Sequence, residues 1–171
     1  MNLQDNDFTL FGLAERFAQD RSHLDARWKE LQREAHPDKF AAQGAAAQRV
    51  AMQWSVRINE AYQRLKDPLA RAAYLCELRG APVQAHSNTA MPAQFLMQQM
   101  EWREALDDAT DVPAVEALLA QVRAEQALLL QQCAQRIDQD NDPAAAVSVV
   151  RALMFIDKFS QDLNQRLDQL E

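Results

Sequence analysis

The chain has 171 residues, 48% of them hydrophobic, and a formal net charge of −7. That length holds one domain or two small ones with a buried core, and 3 Gly with 6 Pro favours helix almost throughout, with no low-complexity tract. Residues 1–80 carry 12 basic against 11 acidic side chains, whereas residues 81–171 carry 6 against 14; this asymmetry argues for two functional halves and against nucleic acid as the main partner.

No apolar run is long enough to span a bilayer, so no membrane role is expected. The polar, acidic start over residues 1–7 reads as neither a secretory signal nor an Arg-rich transit peptide. Cys76 and Cys133 stand alone, without a CxxC spacing, and read as small buried apolar residues rather than metal ligands.

Phe8-Thr9-Leu10-Phe11-Gly12-Leu13 opens the folded part, and a first helix is expected over 14–19. Residues 20–22 connect it to the next, with Ser22 as N-cap and Asp25 in a capping-box arrangement. Leu24, Trp28, Leu31 and Ala35 recur at helical spacing on one face, and Lys29 and Arg33 fall on roughly the opposite one. Pro37 ends this helix, having no N–H to donate and pushing His36 out of the α region. His36-Pro37-Asp38-Lys39 is therefore expected in an exposed turn at the end of a helix with a basic outer face.

A loop over 40–44 follows. A long helix over 45–66 then carries Val50, Trp54, Ile58, Ala61 and Leu65 on one face, matched to the preceding apolar stripe as an antiparallel pair. Asp67-Pro68 starts a further helix that Gly80 closes. Residues 81–92 are Pro-bounded, polar and aperiodic, which predicts a linker. Three more helices are expected over about 92–109, 113–138 and 143–170, with Pro92, Pro113 and Pro143 at their starts. Val115, Leu119, Val122, Leu129, Cys133 and Ile137 share a face of the second. Val149, Leu153, Ile156, Leu163 and Leu167 share one of the third, and the whole reads as a three-helix bundle.

Two groups of residues stand apart from the core. The turn presents an imidazole and a carboxylate held by a rigid proline, which suits charge-assisted hydrogen bonds with a partner. A catalytic role for His36 and Asp38 is disfavoured, because residues two apart around a proline do not readily pair as base and orienter and no nucleophile is placed nearby. His23, His36 and His86 share no ligand-like spacing, so neither a metal nor another cofactor is expected. In the helix after the linker, Phe95, Trp102, Leu106 and Ala109 form the core stripe. Leu96, Met97 and Met100 project elsewhere beside Glu101, Glu104 and Asp108, and Phe155 lies off the stripe of the last helix. An apolar surface rimmed by acids, with adaptable methionines, suits a protein partner.

The helix, the His36-Pro37-Asp38 turn and the following helix resemble a J-domain, the module that activates DnaK-type ATPase chaperones. Gly/Phe-rich and zinc-binding continuations are missing. Instead, Phe8–Leu13, His36–Phe40, Phe95-Leu96-Met97 with Arg103-Glu104, and Phe155-Ile156-Asp157-Lys158 resemble the HscB family, J-type co-chaperones of bacterial iron–sulfur cluster assembly. Met100 and Asp108 stand where that family suggests Leu and Glu, and both changes keep the chemistry.

The resemblance implies an all-α protein. An N-terminal J-domain over 1–80 and a linker over 81–92 would precede a C-terminal three-helix bundle over 93–171. It assigns chaperone contact to His36, Pro37 and Asp38, with Arg27, Lys29 and Arg33 steering. It assigns contact with the scaffold protein IscU to Leu96, Met97, Met100, Glu101, Glu104, Asp108 and Phe155. The implied function is delivery of IscU to the DnaK-type chaperone HscA and stimulation of its ATPase, in the bacterial cytoplasm, without enzymatic activity of its own. A J-type co-chaperone serving a different client is the alternative.

Overall fold

The computed structural model describes residues 2–84 and 90–171. His86 and the middle of the expected linker lie outside the described residues. Among those described, the regular structure is helical: α1 (Asp7–Phe11), α2 (Arg21–Glu34), a 3₁₀ segment (Pro37–Gln43), α3 (Ala45–Lys66), α4 (Pro68–Leu78), α5 (Ala93–Asp108), α6 (Val112–Ala134) running into a π turn (Gln135–Gln139), and α7 (Pro143–Leu170). The chain divides into two compact units, Met1–Tyr74 and Leu75–Glu171, with the division falling inside α4.

In the N-terminal unit the first helix is not where local pattern predicts it. Residues 14–19 are irregular, and the helix is the short α1. The Asn6 side chain accepts from the Thr9 N–H, and Gly12 closes the helix at φ 67°, a conformation that costs glycine little. Long-range contacts hold so short a helix. Asp7 is fully buried, with its carboxylate 2.8 Å from Arg57 Nη1 and 2.7 Å from Arg64 Nε on α3. The Asp7 N–H donates to the Tyr74 hydroxyl at 3.0 Å. Phe8, Leu10 and Phe11 are buried below.

The α2 N-cap is Asp20, not Ser22. The Asp20 carboxylate accepts from the Ser22 and His23 N–H groups. Asp25, expected to complete a capping box, instead accepts from Arg21 at 2.8 Å and from the Tyr62 hydroxyl at 2.6 Å. The α2–α3 pair joins apolar packing of Leu24, Leu31, Ile58, Ala61 and Leu65 to a polar seam. Trp28 stacks on Tyr62 at 4.7 Å and donates its indole N–H to Asn59, which also accepts from Gln32. Gln32 in turn accepts from the Ser55 hydroxyl.

The stripe on α3 does not stay buried to its start. Val50 is half exposed and Trp54 partly so, because near the turn the hairpin opens into a cleft of about 470 Å³. Leu31, Ala51 and Ile58 form its buried floor, with Phe40 and Trp54 among its walls.

In the C-terminal unit α5, α6 and α7 supply the core that the periodicity predicts. Phe95, Trp102 and Leu106 from α5 are buried, as are Val115, Leu119, Val122, Leu129 and Cys133 from α6 and Ile137 from the π turn. From α7 come Val149, Leu153, Ile156, Phe159 and Leu163, whereas Leu167 is only partly covered. Asp111 and Asp142 cap α6 and α7 by accepting from the N–H groups of Ala114 and Ala145, three residues on and just after the helix-opening prolines. Buried Arg151 donates to the carbonyls of Val83 and Ala90, so residues at both ends of the expected linker are fastened to α7. Arg79 likewise donates to the Ile137 carbonyl.

Cys76 and Cys133 are free and buried, and burial pushes their thiols up to about 11 and about 12. Both are therefore neutral near pH 7 and poor nucleophiles.

Candidate functional site

The first site is built on the end of α2. The backbone turns at His36, whose extended φ and ψ of −62° and 128° follow from the proline after it. Pro37 then starts the 3₁₀ segment, so the expected loop over 40–44 is helical as far as Gln43, and Gly44 turns the chain into α3. His36 caps that segment, with Nδ1 accepting from the Asp38 N–H at 3.2 Å. The Asp38 carboxylate lies 3.6 Å from the same nitrogen. The side chains of His36 and Asp38 are 58% and 91% exposed, so both are available to another molecule. Residues two apart around the proline thus do meet, but as a turn-stabilising cap.

The basic residues on α2 are not equivalent. Lys29 and Arg33 are exposed. Arg27 is tied into the unit: its Nε donates to the Phe11 carbonyl at 3.0 Å and its Nη1 lies 3.2 Å from Glu30. Arg27 therefore links α2 to the end of α1, a role that helical spacing does not reveal.

The second candidate surface lies on α5. Leu96, Met97 and Met100 are 47%, 67% and 74% exposed, and Glu101, Glu104 and Asp108 beside them are exposed too. Phe155 differs. It is half-buried, with its ring edge-on to Phe95 at 5.8 Å and stacked on Phe159 at 5.6 Å. Trp102 stacks on the other side of the group, 6.0 Å from Phe159, and the Arg103 guanidinium lies 5.3 Å from the Phe155 ring centroid. Phe155 is thus the exposed end of an aromatic stack that reaches the bundle core. Arg103 places a cation over that end, a contact worth roughly 0.5–1 kcal/mol at an exposed site. The helical period alone puts Phe155 off the core stripe and misses both partners.

Among the described residues no cluster of three or more His, Cys, Asp or Glu is placed to hold a metal ion, and no helix is long and apolar enough to cross a membrane.

A helical hairpin with an exposed His-Pro-Asp turn, followed by a second, three-helix unit, is the build of a J-type co-chaperone. A family model described as the HSCB C-terminal oligomerisation domain matches residues 91–164. The chain is 48% identical to a protein of Burkholderia mallei named co-chaperone protein HscB homolog, over 100% of this chain and 99% of that one. The solved structure of chaperone HscB from Vibrio cholerae superposes with a TM-score of 0.83 at 38% identity, over 98% of this chain and all of that one. The crystal structure of human co-chaperone protein HscB gives 0.89 at 25% identity, over 97% and 84% respectively. The chain belongs to the HscB family of co-chaperones.

Proposed function

We propose that the chain binds the iron–sulfur scaffold protein IscU, delivers it to the DnaK-type chaperone HscA in the bacterial cytoplasm, and stimulates the chaperone's ATPase. The observation that carries this reading is the exposure of the His36-Pro37-Asp38 turn, whose backbone is fixed by the Asp38 N–H donating to His36 Nδ1 while the Asp38 side chain is 91% in solvent. Lys29 and Arg33, exposed on the same helix, would speed encounter with an acidic surface on the chaperone. Residues 1–80 would thus carry the chaperone contact and residues 93–171 the client contact. There Leu96, Met97, Met100 and the edge of Phe155 would supply apolar anchors, and Glu101, Glu104 and Asp108 an acidic rim for a basic client surface.

Sedimentation of this chain with purified scaffold and chaperone tests the reading. A complex of chain and scaffold that recruits chaperone in the presence of ATP supports it; a chain that binds neither overturns it.

A further inference from the structure

The cleft of about 470 Å³ where the α2–α3 hairpin opens adjoins the turn, since Ala35 and Phe40, the residues on either side of His36–Lys39, both line it. We infer that this cleft is a docking site for the chaperone, filled by a large apolar side chain that the chaperone carries next to a basic residue. This rests on the reading of the turn as the chaperone contact and adds an apolar anchor to it.

The sequence builds the cleft from small residues. Gln32, near the end of α2, reaches Ser55 and Asn59, so the first half of α3 runs on past the end of its partner helix. The positions that face the gap there include Ala35, Ala47 and Ala51, whose methyl groups do not bridge it. Leu31 and Ile58 are buried at the bottom, while Val50 stays 51% exposed and Trp54 and Phe40 are only partly covered. Large apolar side chains left in water beside a binding turn mark a place for a partner's apolar group. The volume falls within the about 300–1,000 Å³ of clefts that take a ligand.

The rim selects the kind of apolar group. Glu34 and Gln43 are exposed there, and among the described residues Glu34 makes no ion pair. A carboxylate at the mouth of an apolar cleft favours a segment with Lys or Arg beside its apolar residue and rejects an acidic one. The faces of Trp54 and Phe40 favour the same pairing, because aromatic rings attract cations. The chaperone is the occupant rather than the scaffold protein for a reason of connectivity. Ala35 and Phe40 are each joined to the turn by a single peptide bond, so whatever covers the turn reaches the cleft, whereas the α5 surface belongs to the other unit.

Two variants and a cross-link, all in the full chain, test this. Ala47→Leu adds bulk inside the cleft at a half-buried helical position, where leucine is nearly as good a helix former as alanine. Its urea midpoint should match or exceed that of wild type, while affinity for the ATP-bound chaperone should fall roughly tenfold or more, as when an interface anchor is lost. Wild-type affinity in this variant overturns the inference. Glu34→Gln should weaken chaperone binding about threefold at low salt, with the deficit vanishing as salt rises; no change at low salt overturns the basic neighbour. A benzophenone photo-cross-linker in place of Gln43 should tag a chaperone peptide that has a large apolar residue next to Lys or Arg. A tag on a polar chaperone peptide, on the scaffold or on a second copy of this chain overturns the inference, as does no adduct with a chaperone that the labelled chain still binds. The cross-link decides even where Ala47→Leu proves less stable than wild type. If Asp38→Asn binds and stimulates normally, the chaperone-contact reading itself fails; if Asp38→Asn is impaired and Ala47→Leu is normal, only the cleft assignment falls.

Discussion

Truncating the α5 surface separates residues that hold the bundle from residues free to bind. Met97 and Met100 are two-thirds and three-quarters exposed and Leu96 about half, so each has already left most or half of its surface in water. Deleting a fully buried leucine or methionine side chain costs about 2–5 kcal/mol. A partly exposed site leaves no closed cavity, so the lower end of that range applies; scaled by what is buried here, Leu96→Ala should cost about 1 kcal/mol and each methionine about 0.5–0.7 kcal/mol, giving roughly 2 kcal/mol for the triple variant. Leu106→Ala alone, at a site 9% exposed, should cost about 2–5 kcal/mol. Phe155→Ala belongs with Leu106, because it removes the stack on Phe159 and the edge contact with Phe95. Those ring pairs contribute about 0.5–1.5 kcal/mol each beyond area burial, for a total of about 2–4 kcal/mol. Urea denaturation reads the stabilities and titration calorimetry with the scaffold protein reads the affinity. The triple Ala variant should stay folded and lose about tenfold or more in affinity. A triple variant that loses clearly more stability than Leu106→Ala, with scaffold affinity intact, would refute the assignment, since those side chains would then be packing the fold.

Asp7→Asn should be among the most destabilising polar changes, costing about 3–5 kcal/mol by leaving Arg57 and Arg64 around an uncharged buried amide, as denaturant melts will show. Arg33→Ala, and Lys29→Ala less so, should slow association with the chaperone in stopped flow, with the deficit shrinking as salt rises. Arg27→Ala should instead cost about 1 kcal/mol of stability, because its Nε–H bond to the Phe11 carbonyl is lost, and a purely kinetic effect would contradict that role. The Cys76 and Cys133 thiols, raised to about 11 and about 12 by burial, stay protonated in the fold while the unfolded chain ionises near pH 8.5. Their contribution is fully present below that pH and is lost as pH rises toward 11–12, so the melting temperature should fall across this range and fall less in Cys133→Ala relative to its own value at pH 7. In the acid range Asp25 works the other way. The Tyr62 hydroxyl and then Arg21 hold its carboxyl below the ordinary range, so its contribution persists above about pH 4 and fades as pH falls further.

What the sequence made legible were the features that repeat locally. Leu24, Leu31, Ile58 and Leu65 recur at helical spacing and are buried; Pro37, Pro113 and Pro143 stop or start helices as their missing N–H requires. What escaped was decided by partners far along the chain. The helix α1 has five residues and no period to detect, and exists because Asp7 meets arginines fifty and more residues away. Ser22 and Asp20 are both good caps by type. In the structure Arg21 and Tyr62 both engage Asp25, leaving Ser22 no capping-box partner, and the Asp20 carboxylate takes the Ser22 and His23 N–H groups. The polar seam of Gln32, Ser55 and Asn59 has no sequence signature, since each residue alone reads as solvated surface. Residues of the two candidate sites were visible for the opposite reason: an exposed turn around a proline and methionines off the apolar stripe are departures from pattern, and departures can be read without knowing the fold.

The most direct test of the whole account is the steady-state ATPase of the DnaK-type chaperone, measured with saturating scaffold protein and increasing amounts of this chain. Wild-type chain should raise turnover in a saturable way, further with scaffold than without it. Asp38→Asn, whose fold and scaffold affinity should match wild type because the side chain is 91% exposed, should give no stimulation. Stimulation by Asp38→Asn equal to wild type, or none by the wild-type chain, would contradict the assignment of the turn as the part that acts on the chaperone.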